Sequence, residues 1–376
     1  MTIQMAILFW AGLAGAWYAY AGYALLLLAW RRVAPAPVHR AEAPLPTLSI
    51  VLPVYNEVAQ IGERLARFTA LDYPPDRLEV LIVSDGSTDG SDEVVRDAAA
   101  RDARIRLVRC EERRGKGNAL NVGIAQVRHE IVVFLDAGID LEPDALRQLV
   151  RAFADPRVAC VSGEDRIRGL SGEGLYGRYE MFLRRCESDI HSLIGASGSF
   201  YAMRRSTCPT FPEGLAPDFL SVLHTVRQGL RAVDEPAAVG WMGAVRGHRE
   251  EFGRKVRTLI RGMTALWAYR ELLNPAVGGA FSVFLWSHKV MRWLVPCFLL
   301  MMAVGNAALL GEPMYALIAV PHALFYLLGG LALAGVTTDP FGRIAAYFIN
   351  VNAAIAVAWW RFLRGVRQEV WTPSRR

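Results

Sequence analysis

Apolar residues follow three different patterns along this chain. The first thirty positions, MTIQMAILFWAGLAGAWYAYAGYALLLLAW, carry no charged side chain. They exceed the ~20 residues a helix needs to cross a bilayer core, with Trp and Tyr of the kind found at membrane interfaces. From 31 to about 270 the pattern changes to short β-branched runs alternating with amphipathic stretches. The runs are LSIVLPV at 48–54, VLIVSD at 80–85, IRLVRC at 105–110 and IVVFLD at 131–136, with helical periodicity near 57–70, 90–102, 116–128 and 142–154. Nearly continuous apolar strands alternating with helices predict a mainly parallel sheet covered on both faces. Beyond 276 the pattern reverts to uncharged runs at 293–311, 313–338 and 344–360. The first two have spanning length, whereas the third, with Asn350 and Asn352, falls short of it.

Composition sharpens this division. Of 376 residues 53% are hydrophobic and 21% charged, which excludes a disordered chain. A cleaved signal peptide is the alternative for the first segment, but it has no basic n-region and its apolar run is too long. Arg31 and Arg32 follow directly, so the positive-inside rule sets the N-terminus outside and the next segment in the cytoplasm. Counting 344–360 as a span would put the arginines at 361, 364, 367, 375 and 376 outside, against that rule, so the number of spans stays open. The net charge of +6 is not gathered into a basic block interleaved with aromatics, and no nucleic-acid partner is expected. Juxtamembrane arginines facing anionic lipid account for it. Five cysteines, at 110, 160, 186, 208 and 297, lack CxxC spacing, which argues against disulfides or a cysteine zinc site.

Ligands of open α/β sheets bind outside the carboxyl ends of the strands. Those ends read Tyr55-Asn56-Glu57, Asp85-Gly86-Ser87 and Asp136-Ala137-Gly138. Each alone could be a turn or helix cap; three together mark a site. Two other glycine motifs carry nothing. Gly172 to Gly177 matches GxGxxG but does not follow directly on a strand, so it reads as a loop and helix start, and Gly115-Lys116-Gly117 lacks the remainder of a Walker loop.

The motifs IVLPVYNE (50–57), IVSDGSTDGS (82–91), RGKGNALNVGI (114–124), FLDAG (134–138), GASGSFYAMRR (195–205) and APDF (216–219), in this order and with flanking apolar segments, resemble the family 2 glycosyltransferases, membrane enzymes related to cellulose, chitin and hyaluronan synthases. The resemblance implies an α/β GT-A (nucleotide-diphospho-sugar transferase) Rossmann-like domain between an N-terminal transmembrane helix and a C-terminal membrane bundle. The expected divisions are an anchor at 1–32, the cytoplasmic GT-A domain at 45–240, interfacial amphipathic helices at 241–290, transmembrane helices at 291–361 and a basic tail at 362–376.

By resemblance, Pro53, Tyr55 and Glu57 receive the uridine ring, and Asp85, followed by Gly86, reads the base. Lys116 approaches the nucleotide at a helix start. Asp136 matches the first acid of the family's DxD, which holds Mg²⁺ or Mn²⁺ across the diphosphate; Gly138 replaces the second acid, so water, Asp140 or His248 would complete the shell. Asp218 matches the general base, with helix capping as its alternative and Glu164 and Asp165 as the next candidates. Gly198 and Ser199 match the small residues beside which an acceptor sugar lies. The QxxRW motif of processive synthases is absent; Arg254 and Arg257, at helical spacing, either hold the diphosphate or touch lipid headgroups.

The expected activity is inverting transfer from a UDP-sugar to a saccharide or lipid-linked acceptor, for exopolysaccharide or cell-envelope glycan synthesis. The bilayer and other polysaccharide synthesis or export proteins are the expected partners, at a bacterial inner membrane with the catalytic domain in the cytoplasm. Gly138, Pro217 and the missing QxxRW favour the alternative, an inactive membrane scaffold in such an assembly.

Overall fold

The computed structural model describes residues 2–167, 173–243 and 248–366. An apolar helix opens the chain as α1 (Thr2–Trp17) and α2 (Tyr23–Val33), joined by a π-helical turn at Tyr18–Gly22. The α/β unit follows: β1 (Leu48–Val54), α3 (Val58–Thr69), β2 (Leu78–Asp85), α4 (Ser91–Arg101), β3 (Ile105–Cys110), α5 (Lys116–Gln126), β4 (Ile131–Leu135), β5 (Ile139–Leu141) and α6 (Ala145–Val150). It continues through β6 (Val158–Ile167), α7 (Glu173–Ile190), β7 (Phe200–Arg204), α8 (Pro217–Arg227) and β8 (Arg231–Met242), so the last strand runs past position 240. Every residue of β1 and β2 is buried, as expected where helices cover both faces.

The eight strands are ordered β3-β2-β1-β4-β7-β6-β8-β5. The half built from the four recognised runs is parallel, but β7 lies antiparallel between β4 and β6, so the whole sheet is mixed. This reversal matters for the site. Leu135 at the end of β4 pairs with Phe200 at the start of β7, bringing the segment after β4 beside the segment before β7.

After β8 come α9 (His248–Ala268), α10 (Pro275–Gly278), α11 (Ala280–Phe284), a π-helical turn at Leu285–Val290, α12 (Met291–Trp293), α13 (Val295–Ala308), α14 (Pro313–Leu333) and α15 (Pro340–Leu363). Two expectations change here. The run 293–311 is not a spanning helix by itself: α13 has fourteen residues, about 21 Å, and is bent 54° from the Ala280–Trp293 segment. Pro296 lies in its first turn and lacks the N–H that would continue the preceding helix. The 344–360 run, by contrast, lies within the 24 residues of α15, long enough to span because the helix incorporates the flanking Arg343 and Arg361. Among the described residues three helices are long and apolar enough to cross a membrane, or four if the bent pair is one span.

The bent pair runs antiparallel along the N-terminal helix. Phe284 packs on Trp30, Tyr18 bonds Ser287 at 2.7 Å, and Gly305 abuts Phe9. One core joins sheet and membrane helices: Val51, Val83 and Phe134 belong to the same cluster as Val256, Phe281, Phe284, Tyr23 and Ile355. The opposite sheet face, under α3, α4 and α6, holds a second core containing Ile50, Ile82, Ile61 and Leu146.

Candidate active site

The strand ends are braced before any ligand is considered. Asn56, at φ +53°, gives its N–H to Ser87 Oγ (3.2 Å) and accepts from the Thr88 N–H (2.9 Å), while the Glu57 N–H donates to Ser91 Oγ (2.8 Å). The turns after β1 and β2 thus hold each other. Pro53 lies buried near the end of β1 opposite Val83, and only the chain beyond Val54 reaches the surface. Tyr55 lies under the Arg113 guanidinium, 3.8 Å from ring centroid to Cζ, a cation–π contact closing one wall. Burial raises the Glu57 carboxyl above its ordinary range, against the pull of Arg64.

Asp85 is 2% exposed and spends both oxygens on the next loop, accepting from the Arg114 N–H at 2.9 Å and the Gly115 N–H at 2.8 Å. Gly86 permits this closeness: at φ +71° a Cβ would lie 3.0 Å from Arg113 N. These bonds set the chain for α5, whose first residue is Lys116. Its Nζ reaches Asp136 Oδ1 at 2.5 Å and the Gly198 carbonyl at 3.3 Å. The antiparallel β4–β7 pair explains the meeting, since the Asp136 N–H also donates to the Ser199 carbonyl at 3.0 Å.

Ser197 shapes the turn around Gly198. Its hydroxyl donates to Asp165 (2.5 Å) and accepts from the N–H groups of Ser199 (3.1 Å) and Phe200 (2.7 Å). Gly198 is exposed, whereas Ser199 is buried with its hydroxyl 3.2 Å from Met242 Sδ. Of the two residues expected to face an acceptor, Ser199 therefore points inward. Asp165 is held by Ser197, and Glu164 by Arg166 and Arg185 at 3.1 and 2.6 Å, which removes both as free bases.

Asp218 is within the first turn of α8, not at its N-cap, which is Ala216 and has no side chain that could cap. Its Oδ2 would be 3.9 Å from a Cβ at Gly198. Desolvation raises its carboxyl above the ordinary aspartate range, opposed by Lys116 and Lys289. Beside these residues an open cleft of about 330 Å³ is lined by Arg114, Gly115, Lys116, Gly117, Pro212–Leu215, Pro217 and Arg261. The arginine of α9 on this cleft is Arg261, not the expected Arg254 or Arg257. The three share one helical face at spacings of three and four, and that spacing could have extended the reading to Arg261. Arg254 Nε and Arg261 Nε are both buried without a partner among the described residues.

A divalent ion finds one carboxylate here, Asp136. Asp140 pairs with Arg67 on α3 and is drawn away from Asp136, and no group of three His, Cys, Asp or Glu side chains among the described residues has metal-binding geometry. The expected contribution of His248 rests on a side chain outside the described residues, as do the segments 168–172 and 244–247 and the tail from 367.

The sheet order, with helices on both faces, is that of a GT-A Rossmann-like α/β fold. Residues 49–207 match the model of Glycosyl transferase family 2. The chain is similar to the poly-beta-1,6-N-acetyl-D-glucosamine synthases of Staphylococcus epidermidis, with 32% identity over 168 residues (42% of this chain, 40% of the relative), and Staphylococcus aureus, with 30% over 208 residues (52% and 49%). The chain thus spans half or less of those relatives' length. Among solved structures it resembles the mannosyltransferase PcManGT from Pyrobaculum calidifontis in complex with GDP-Man and Mn²⁺, at TM-score 0.75 and 26% identity, covering 96% of this chain and 99% of that one.

Proposed function

We propose that this membrane protein transfers a sugar, with inversion, from a UDP-sugar to a saccharide or lipid-linked hydroxyl at the cytoplasmic face of a bacterial inner membrane, in exopolysaccharide or envelope glycan synthesis. One observation carries the reading: Lys116 bridges Asp136 and Gly198, and Asp218 faces that junction from α8. A base, an exposed glycine for the acceptor and a cationic cleft for the departing diphosphate lie side by side.

The roles follow from chemistry. Asp218 takes the hydroxyl proton as the acceptor oxygen attacks the anomeric carbon. The bond to the diphosphate breaks on the opposite face, and Lys116, Arg114 and Arg261 stabilise the departing charge. A carboxylate oxygen accepts more than one bond, so Asp85 can hold the loop and also accept from the uracil N–H. A divalent ion, when bound, neutralises diphosphate charge; Asp136 is the residue that would hold it, with substrate oxygens and water as the remaining ligands. The Mn²⁺ of the archaeal mannosyltransferase and the synthase activity of the staphylococcal relatives support this reading.

The test is nucleoside-diphosphate release by the purified full-length chain with a panel of UDP-sugars and GDP-mannose, with Mg²⁺, with Mn²⁺ and with chelator. Release from one UDP-sugar that chelation suppresses is expected. Release from GDP-mannose alone would replace the donor, and neither release nor binding with any donor would leave the inactive scaffold.

A further inference from the structure

We propose that Lys289 binds the phosphate of an anionic membrane lipid that presents the acceptor hydroxyl to Asp218; this rests on the glycosyltransferase reading and adds the acceptor's chemical class. Lys289 lies in the π-helical turn Leu285–Val290 and is not among the residues that line the donor cleft. Its Nζ is 5.1 Å from the centroid of Phe219, the residue after Asp218, and the two charges act on each other. Among the described residues it makes no ion pair or hydrogen bond.

The nearby acids are already engaged. Glu180 of α7 meets Arg292 and, at 3.0 Å, His288; Glu187 meets His288 at 2.6 Å, the Tyr23 hydroxyl at 2.7 Å and the Ile194 N–H at 3.0 Å. A half-buried ammonium without a direct counter-charge is costly, and phosphate oxygens would satisfy its three donors. π-Helical turns are frequent at functional sites. This one packs on the other, through Tyr18 and Ser287, and Phe284 just before it rests on Trp30, next to Arg31 and Arg32 where the apolar helix ends. The turn thus lies between the π-helical break of the N-terminal helix and its basic end, where a lysine can extend its stem along apolar surface towards lipid headgroups.

Two sets of cations therefore flank the base. Arg114, Lys116 and Arg261 line the donor cleft, whose one acid is Glu213, and Lys289 stands on the membrane side. In the transfer step the acceptor hydroxyl gives its proton to Asp218, its oxygen bonds the anomeric carbon and the diphosphate leaves. The phosphate on Lys289 is unchanged.

The experiment measures binding of dihexanoyl-phosphatidylglycerol to the full-length chain in neutral detergent by calorimetry, with dihexanoylglycerol and glycerol 1-phosphate as the neutral and soluble arms. Lys289→Met should weaken phosphatidylglycerol binding by about tenfold or more. Lys289→Arg should restore most of it, and Lys255→Met, a lysine set over Tyr347, should not change it. Dihexanoylglycerol should not distinguish wild type from Lys289→Met. Equal phosphatidylglycerol binding by the wild type and Lys289→Met, including none by either, would overturn the proposal. Lys289-dependent binding of glycerol 1-phosphate as tight as the lipid's would overturn the lipid source. UDP binding in the same samples separates the two readings: its absence throughout counts against glycosyl transfer itself, whereas its presence with Lys289-independent lipid binding removes this inference alone.

Discussion

Individual carboxylates have distinct tasks here, and their partners show which. Asp85 holds the Arg114–Gly115 backbone through two bonds, so Asp85→Ala leaves two donors unpaired, of which that of Gly115 is buried. A loss of about 1–3 kcal/mol per unsatisfied group is expected, together with weakened donor binding, checked by denaturant unfolding and donor calorimetry. Asp218 has the reverse balance. Desolvation raises its folded pKa, so the ionised form is less favoured folded than unfolded; its cost to stability is present at neutral pH and recedes as pH falls through the folded pKa. Asp218→Asn should therefore leave stability at pH 7 unchanged or higher. A base must be ionised, so wild-type transfer should decline on acidification at a pH above that of an ordinary aspartate. A kcat/KM–pH profile whose acid limb lies at or below the usual aspartate range would contradict this.

Elements determine how far such residues were legible in advance. The ends of β1, β2 and β4 were readable because alternating apolar runs and turn residues mark a strand end locally. What the local pattern could not carry was the reversal at β7, which joins Asp136 to Gly198 across sixty residues, or the inward turn of Ser199. Asp218 beside a helix start reads as a base with capping as its alternative; that it lies one residue inside the N-cap Ala216 could not be read from the local pattern. Arg261 was legible only as one more arginine on the face of Arg254 and Arg257, because α9 reaches the cleft through tertiary packing, and nothing local marked the proposed role of Lys289. The approach of α5 to the sheet is tight: a Cβ on Gly123 would lie 2.5 Å from Val51 Cγ1. Gly123→Ala should cost about 1–3 kcal/mol and, by lifting α5, weaken donor binding through Lys116. An unchanged thermal midpoint would show that the helix can shift freely.

At the scale of the whole molecule, the α/β unit and the candidate spanning helices share one core, so those helices also help to position the candidate site. The apolar runs at both ends pointed to candidate spans, and helices of spanning length lie there, but a bend at Pro296 and the extension of α15 through Arg343 lie beyond what run lengths reveal. Tyr315, early in α14, packs on Phe9 and bonds Trp10 at 3.1 Å, so the α13–α14 turn lies near the chain's first residues, far from Arg31 and Arg32. With the bent pair as one span, a cysteine at Gly311 should react with an impermeant maleimide added outside intact cells, and one at Thr338 should not, in a background without the five native cysteines. Labelling of Thr338→Cys but not Gly311→Cys would reverse the arrangement.

The central claim is that Asp218 accepts the acceptor's proton, and one paired measurement addresses it: donor affinity and turnover of Asp218→Asn beside wild type, in the same membrane preparation and with the donor identified by the release panel. The account predicts donor affinity near wild type with turnover lower by about 10²–10⁴-fold, the usual range for a lost general base. Turnover within a few-fold of wild type would contradict it.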